Sequence, residues 1–177
     1  CGTTIGSELR EPCLIHQPSN PMMNGWIEEH GLVDTLEELG IGSIVFSPLA
    51  QGMLTDKYLK GVPEESRAAQ GKSLNPNFLS EQNIANIRSL NDIAARRGQT
   101  LAQMALAWVL RKGRITTALI GASKPQQVVD CVKALDNLEF TDAELAEIDS
   151  YASEANINLW AASAERKGPE RKPVKLD

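Results

Sequence analysis

Scarcity defines this chain before any motif does. It holds only three cysteines, Cys1, Cys13 and Cys131, odd in number and far apart. Three scattered thiols build neither a disulfide framework nor a cysteine-rich zinc site, and they fit work in a reducing cytoplasm. No apolar run approaches the roughly 20 residues that a membrane-crossing helix needs, and no secretory signal is visible. A basic excess is missing too: 18 Lys and Arg stand against 23 Asp and Glu, a net charge of −5, which argues against a broad nucleic-acid surface. The one basic cluster, from Glu165 to Lys175, is interrupted by Gly, Pro and Glu. It reads as a solvated, flexible tail over residues 161–177.

What is present suffices for one globular domain. At 177 residues and 42% hydrophobic, the chain can bury a real core. It opens on Cys1 instead of Met, and Cys1 to Ser7 reads neither as a targeting segment nor as a clean domain start, so sequence missing upstream is expected.

Three short apolar runs alternate with longer helical patterns. The runs are Cys13 to Gln17, Gly42 to Ser47 and Thr116 to Gly121, each bounded by Pro or Gly as buried strands are. Helices are predicted over Trp26–Leu39, which stops at Gly40, and over Glu81–Arg97, which stops at Gly98. Thr100, with Gln103 as capping partner, opens a helix from Leu101 to Leu110 that is apolar nearly all round and must be buried on most faces. A helix over Gln126–Leu135 follows the third strand, and Thr141 with Glu144 opens another to about Ser153. Alternating strands and helices predict a parallel sheet of βαβ units. Residues 50–80 form the one long connection, and a lid over a ligand is expected there because it follows the end of a strand.

The stretch after the third strand carries the first chemical signal. Its apolar run ends at Gly121, and Ser123, Lys124 and Pro125 open a helix, with Gln126 expected to close a capping box on Ser123. A helix N-terminus gathers free amides and partial positive charge, and Lys124 adds a full charge, a pattern suited to phosphate. Standing alone, the same pattern is more often an ordinary helix cap.

Together these residues resemble the aldo-keto reductase family. The resemblance is carried by Phe46-Ser-Pro-Leu-Ala-Gln-Gly-Met-Leu-Thr55, by Ile120-Gly-Ala-Ser-Lys124, by the Leu101–Leu110 helix and by Ile15-His-Gln-Pro-Ser19. It runs from about Glu8 to Trp160 and is closest to the bacterial glyceraldehyde-phosphate reductase branch, related to potassium-channel beta subunits. It implies a (β/α)8 TIM barrel, of which residues 1–177 would be the C-terminal part, with the three strands as the sixth to eighth. It further implies NADPH at the C-terminal strand ends, residues 50–80 covering it, and a small aldehyde or ketone as substrate of the complete enzyme.

Residue by residue, the resemblance gives Gln17 the nicotinamide carboxamide, which a side-chain amide can both donate to and accept from. Phe46 would stack on the nicotinamide ring. Ser47, Pro48, Leu49, Gly52 and Leu54 belong to the loop whose backbone wraps the pyrophosphate, and Lys57 and Arg67 to the basic residues beside it. Gly121, Ser123 and Lys124 match the adenosine 2′-phosphate site, and Gln127 and Asp130 match contacts around the adenine. Cys131 stands where relatives often carry Asn, a departure that removes one base contact.

The resemblance also defines a gap. The family's Asp, Tyr, Lys and His tetrad belongs to the first half of the barrel, so no catalytic residue is assigned, and Tyr58, Tyr151, His16 and His30 do not match it. The chain alone is therefore expected to be inactive. Three parallel strands cannot close a barrel, which implies self-association as an oligomer, pairing with a separate N-terminal half, or membership of a longer polypeptide. A non-catalytic nucleotide-binding or interaction module is the alternative. Trp160 is expected as a wall of the substrate pocket or as a packing anchor.

Overall fold

A computed structural model of the chain describes residues 13–23, 31–59 and 76–154. The three expected strands are present, each shorter than its apolar run: β1 (Ile15–His16), β2 (Gly42–Phe46) and β3 (Thr117–Leu119). They form one parallel sheet in the order β1-β2-β3. Ile15 aligns with Gly42, Ile44 with Thr117 and Phe46 with Leu119. Just below the β2–β3 pairing, Ser43 N donates to Thr116 Oγ1 at 3.0 Å while Thr116 N donates to Ser43 Oγ at 3.3 Å. This reciprocal pair fixes the register from outside the strand ladder.

Alternation along β2 separates two unlike faces. Ser43 and Val45 are buried at 2% and 0% exposure, toward the helices. Gly42, Ile44 and Phe46 are only half-buried on the other side. By register, that second face also carries Ile15 and Leu119, which are 53% and 54% exposed. A parallel sheet is ordinarily covered on both faces; among the described residues, helices cover one.

Among the described residues there are five α-helices, α1 (Leu32–Glu38), α2 (Glu81–Arg96), α3 (Leu101–Leu110), α4 (Pro125–Val132) and α5 (Asp142–Glu154), of which α1 and α3 pack on the strands and α5 on α2. Ser80 caps α2 by accepting from Asn83 N, and Ile87, Leu90, Ile93 and Ala94 form its buried stripe. The Thr100–Gln103 box closes in both directions at 3.0 and 3.2 Å. Seven α3 residues from Leu101 to Val109 are buried, in agreement with an apolar pattern that runs around the helix. Thr141 and Glu144 make the expected box at the start of α5.

Arg97 ties these helices together. Its guanidinium, 3% exposed, reaches Glu144 Oε1 at 2.9 Å and donates to the carbonyls of Glu139 at 2.8 Å and Asn137 at 3.4 Å. The ring of Phe140 lies 3.6 Å from its carbon. Arg114, just before β3, reaches Asp34 and Glu37 on α1.

One expectation needs correction. The pattern over Trp26–Leu39 is not one continuous helix. Gly31 adopts φ 67°, a left-handed conformation, and α1 starts only after it. Trp26, Ile27 and His30 lie outside the described residues. Within the long connection, the described residues carry short 3₁₀ turns at Ala50–Gly52, Asp56–Tyr58 and Pro76–Leu79, and residues 60–75 lie outside the described residues. Ala50, Met53, Leu54 and Tyr58 enter the main hydrophobic core at no more than 1% exposure. Turns of three or four residues are too short to leave a hydrophobic period in the sequence.

Candidate functional site

Parallel strands that share a direction also share an end, and the loops leaving the C-terminal ends of β1, β2 and β3 bring most of the candidate residues to one rim. Gln17 follows β1 and its side chain is exposed. The chain beyond it stays beside β2: Phe46 N donates to Pro18 O at 3.1 Å, and Ser19 bridges Phe46 in parallel fashion. Gln17 and half-buried Phe46 therefore sit on neighbouring strand ends, an amide beside an aromatic ring with accessible surface.

The loop after Phe46 is held in an unusual backbone. Ser47, Ala50 and Gln51 have φ of 53°, 47° and 57°, and Gly52 has 93°. Left-handed conformations cost a residue with a Cβ about 1 kcal/mol or more, and such clusters recur where a loop is shaped for a ligand. Internal hydrogen bonds hold the shape. Ala50 N donates to Ser47 O, and both Gly52 N and Leu54 N donate to Leu49 O. Thr55 locks the exit: its hydroxyl donates to Gly52 O at 2.7 Å and accepts from Lys57 N at 3.3 Å. Arg88 of α2 then fastens the end of the loop by donating to Leu59 O at 3.0 Å.

Burial sorts what each loop residue can offer. Pro48 and Leu54 are buried, so their side chains pack and only their backbone is available to a ligand. Ser47, Leu49 and Gly52 are half-exposed, and Lys57 is exposed. No Cβ clash constrains Gly52, since nothing lies within 4 Å of a Cβ built there; its positive φ is the constraint. Arg67 lies outside the described residues.

On the third strand end, Gly121, Ser123 and Lys124 are exposed. Here the helix cap differs from expectation. Lys124 takes the capping position with an extended backbone and Pro125 is the first helical residue. Gln127, not Gln126, reaches back: its Oε1 accepts from Ser123 N at 2.8 Å, Ser123 Oγ at 3.2 Å and Lys124 N at 3.1 Å. Gln126 instead donates to Asp130 Oδ1 at 3.0 Å. Gln127 Oε1 thus takes up the amides of Ser123 and Lys124, and a phosphate that uses them must displace this one side-chain oxygen. Asp130 also accepts at its carbonyl from Gln103 Nε2 at 2.9 Å, which ties α4 to α3. Burial, and then the neighbouring Asp130, push the Cys131 thiol above its ordinary range and keep it protonated.

Three buried polar groups at this rim left no signal in the sequence. Both amide atoms of Asn20, Oε1 of Gln51 and the hydroxyl of Tyr58 are buried without a hydrogen-bond partner among the described residues. Thr55 was also missed, although a Thr immediately ahead of a short turn is a recognisable local cap. Among the described residues no group of His, Cys, Asp and Glu could hold a metal ion.

The described architecture is a parallel α/β sheet with its shaped loops gathered at the C-terminal strand ends, the end where ligands of such sheets sit. Residues 9–153 match the model of the aldo/keto reductase family, and the chain belongs to that family. Among curated relatives, it is 47% identical over 163 residues to the L-glyceraldehyde 3-phosphate reductase of Escherichia coli K12, covering 90% of this chain and 47% of that protein. It is 37% identical over 126 residues to a putative voltage-gated potassium channel subunit beta of Schizosaccharomyces pombe, covering 68% of this chain and 35% of that protein. The chain thus spans about half, or less, of the length of these relatives.

The fold agrees with solved aldo-keto reductase barrels. A glycerol dehydrogenase of Gluconobacter oxydans superposes with a TM-score of 0.66 at 24% identity, over 98% of this chain and 51% of that one. An aldo-keto reductase of Bacillus halodurans in its holo form gives 0.61 at 23% identity, over 89% and 49%.

Proposed function

We propose that this chain is the cofactor-binding C-terminal part of an NADPH-dependent reductase, the complete enzyme reducing small aldehydes or ketones. One observation carries the reading: Gln17, Phe46 and the Ser47–Lys57 loop lie on adjacent ends of parallel strands, with Lys124 on the next end of the same sheet. NADPH, when bound, supplies the hydride. The chain's own residues provide what surrounds it. Gln17 offers a donor and an acceptor to the carboxamide. Phe46 offers a ring face, and the strained loop offers backbone groups held in place before a ligand arrives. Lys124 and Ser123 give the 2′-phosphate a charge and a hydroxyl, and Gln127 and Asp130 flank the adenine side.

We assign no residue of this chain to proton transfer to the carbonyl, and we propose that the chain by itself does not turn over. Substitution of Lys124 by Ala tests the cofactor assignment: affinity for NADPH should fall and affinity for NADH should not. Equal affinity for both nucleotides before and after the substitution would remove Lys124 from the 2′-phosphate site.

A second reading, a nucleotide-binding module without catalysis, is favoured by the similarity to a protein named as a potassium channel subunit beta. Aldehyde-dependent NADPH oxidation by the completed barrel separates the two. Turnover supports the reductase; nucleotide binding without turnover supports the module.

A further inference from the structure

We propose that Gln103 on α3 is a positioning residue for the phosphate end of α4, setting through the backbone of Asp130 where Ser123 and Lys124 sit. The inference about α4 stands on its own geometry. Its bearing on NADPH rests on the reading of Ser123 and Lys124 as the 2′-phosphate site.

One side-chain amide has two partners here. Gln103 Oε1 accepts from Thr100 N at 3.0 Å and so closes the capping box of α3, while Gln103 Nε2 donates to Asp130 O at 2.9 Å on α4. An amide fixed at its oxygen has its NH2 group aimed as well, since both lie in one plane. The base of this bracket is firm, because Leu101, Met104 and Ala105 around Gln103 are buried at 2% exposure or less. Asp130 lies in the last turn of α4, where helix carbonyls run short of intrahelical donors, so a donor from outside is well placed there.

Little else fixes the direction of α4. It is eight residues long and buries none of them among the described residues, and a helix shorter than about 12–15 residues is marginal without tertiary ties. The chain downstream is secure: Ala134 is 1% exposed, and Asn137 O accepts from Gln99 Nε2 at 3.0 Å and from Arg97. Upstream, Gly121, Ser123 and Lys124 are exposed, and the amides of Ser123 and Lys124 donate to Gln127 of the same helix. Those bonds move with α4 and cannot hold it. Among the described residues, Gln103 to Asp130 is the one hydrogen bond that joins α4 to another element. Lys124 lies six residues before Asp130, about 9 Å along a helix axis. Without the tie, the phosphate end becomes the free end of a lever. The Asp130 carboxylate has its own partner in Gln126, so a substitution of Asp130 would leave the backbone tie intact, and the test falls on Gln103.

The test introduces Gln103→Glu, Gln103→Met and Thr100→Ala in the full chain. Glu keeps the acceptor for Thr100 N and loses the donor to Asp130 O, and Met keeps the length and loses both. Thr100→Ala weakens the box and leaves the donor in place. Amide hydrogen exchange over α4 is read without nucleotide, and affinities for NADPH and NADH are read by titration. Both Gln103 variants should speed exchange over α4 and lower NADPH affinity by about fivefold, the effect of one hydrogen bond, with NADH affinity little changed. Thr100→Ala should lower thermal stability but leave α4 exchange and the NADPH to NADH ratio as they were. Exchange that quickens equally in all three variants, or in none, would reduce Gln103 to a helix cap and overturn the proposal. So would an unchanged NADPH preference in both Gln103 variants. Wild-type protein that binds the two nucleotides alike would overturn the 2′-phosphate reading instead, and the exchange rates would still decide the role of Gln103 on α4.

Discussion

Gln127 turns its side-chain oxygen onto the backbone amide of Lys124 at 3.1 Å. The residue expected beside the adenine thus also caps the helix expected to hold the 2′-phosphate. Replacing Gln127 by Ala should remove the cap, at about 0.5–2 kcal/mol of stability, while freeing amides for an anion. NADPH affinity should therefore fall less for Gln127→Ala than for Lys124→Ala. Titration of both variants checks the ranking, and the reverse order would mean that Gln127 acts chiefly on the nucleotide.

Arg97 should be the most sensitive charged position among the described residues. Its guanidinium is buried against one carboxylate, two carbonyls and an aromatic ring. Truncation to Ala removes the donor to Glu144 Oε1 and to the Glu139 carbonyl, whereas Asn137 O keeps Gln99 and Glu144 Oε2 keeps Thr141, a change that costs about 1–3 kcal/mol. Arg97→Lys should recover only part of this, because one ammonium cannot span the same fork of acceptors. Denaturant unfolding of the two variants is the measurement.

The same cluster predicts an acid limb. Glu144 is held below its ordinary pKa, first by the Thr141 backbone amide and also by Arg97, against opposing desolvation. A carboxylate depressed in the folded state contributes stability that is fully present above its unfolded pKa and is lost as pH falls through the folded value. Stability should thus drop on acidification below the usual glutamate range. Glu144→Gln should flatten that limb and leave the slope near neutral pH unchanged.

Backbone strain in the loop can be relieved by design. Gln51 is a non-glycine residue at φ 57°, so Gln51→Gly should raise stability or leave it near neutral, whereas Gly52→Ala, at φ 93°, should lower it by about 1 kcal/mol or more. If the loop's shape serves the cofactor, Gly52→Ala should also weaken NADPH binding. Thermal melts and titrations on the same two variants read both effects.

The sequence made much of this legible where a residue's chemistry is local. The Thr100–Gln103 and Thr141–Glu144 boxes, the all-round apolar α3 and the parallel sheet follow from period, capping and alternation. What was hidden depended on backbone angles or on distant partners. Gly31 reads as one more residue in a helical pattern until its left-handed φ divides the segment. Gln126 and Gln127 are chemically identical, and only the helix phase set by Pro125 decides which one caps. The burial of Tyr58 and the reach of Arg97 to residues about forty positions away have no periodic trace. The loop after Phe46 was legible as a motif through family resemblance, but the clustered positive φ values that shape it were not.

The most direct test of the cofactor assignment is a fluorescence titration of the protein with NADPH and with NADH, under one set of salt conditions. The account predicts saturable binding with NADPH favoured by about tenfold or more, and loss of that preference in Lys124→Ala. Equal affinity for the two nucleotides, or no saturable binding even when the remaining half of the barrel is supplied, would contradict it.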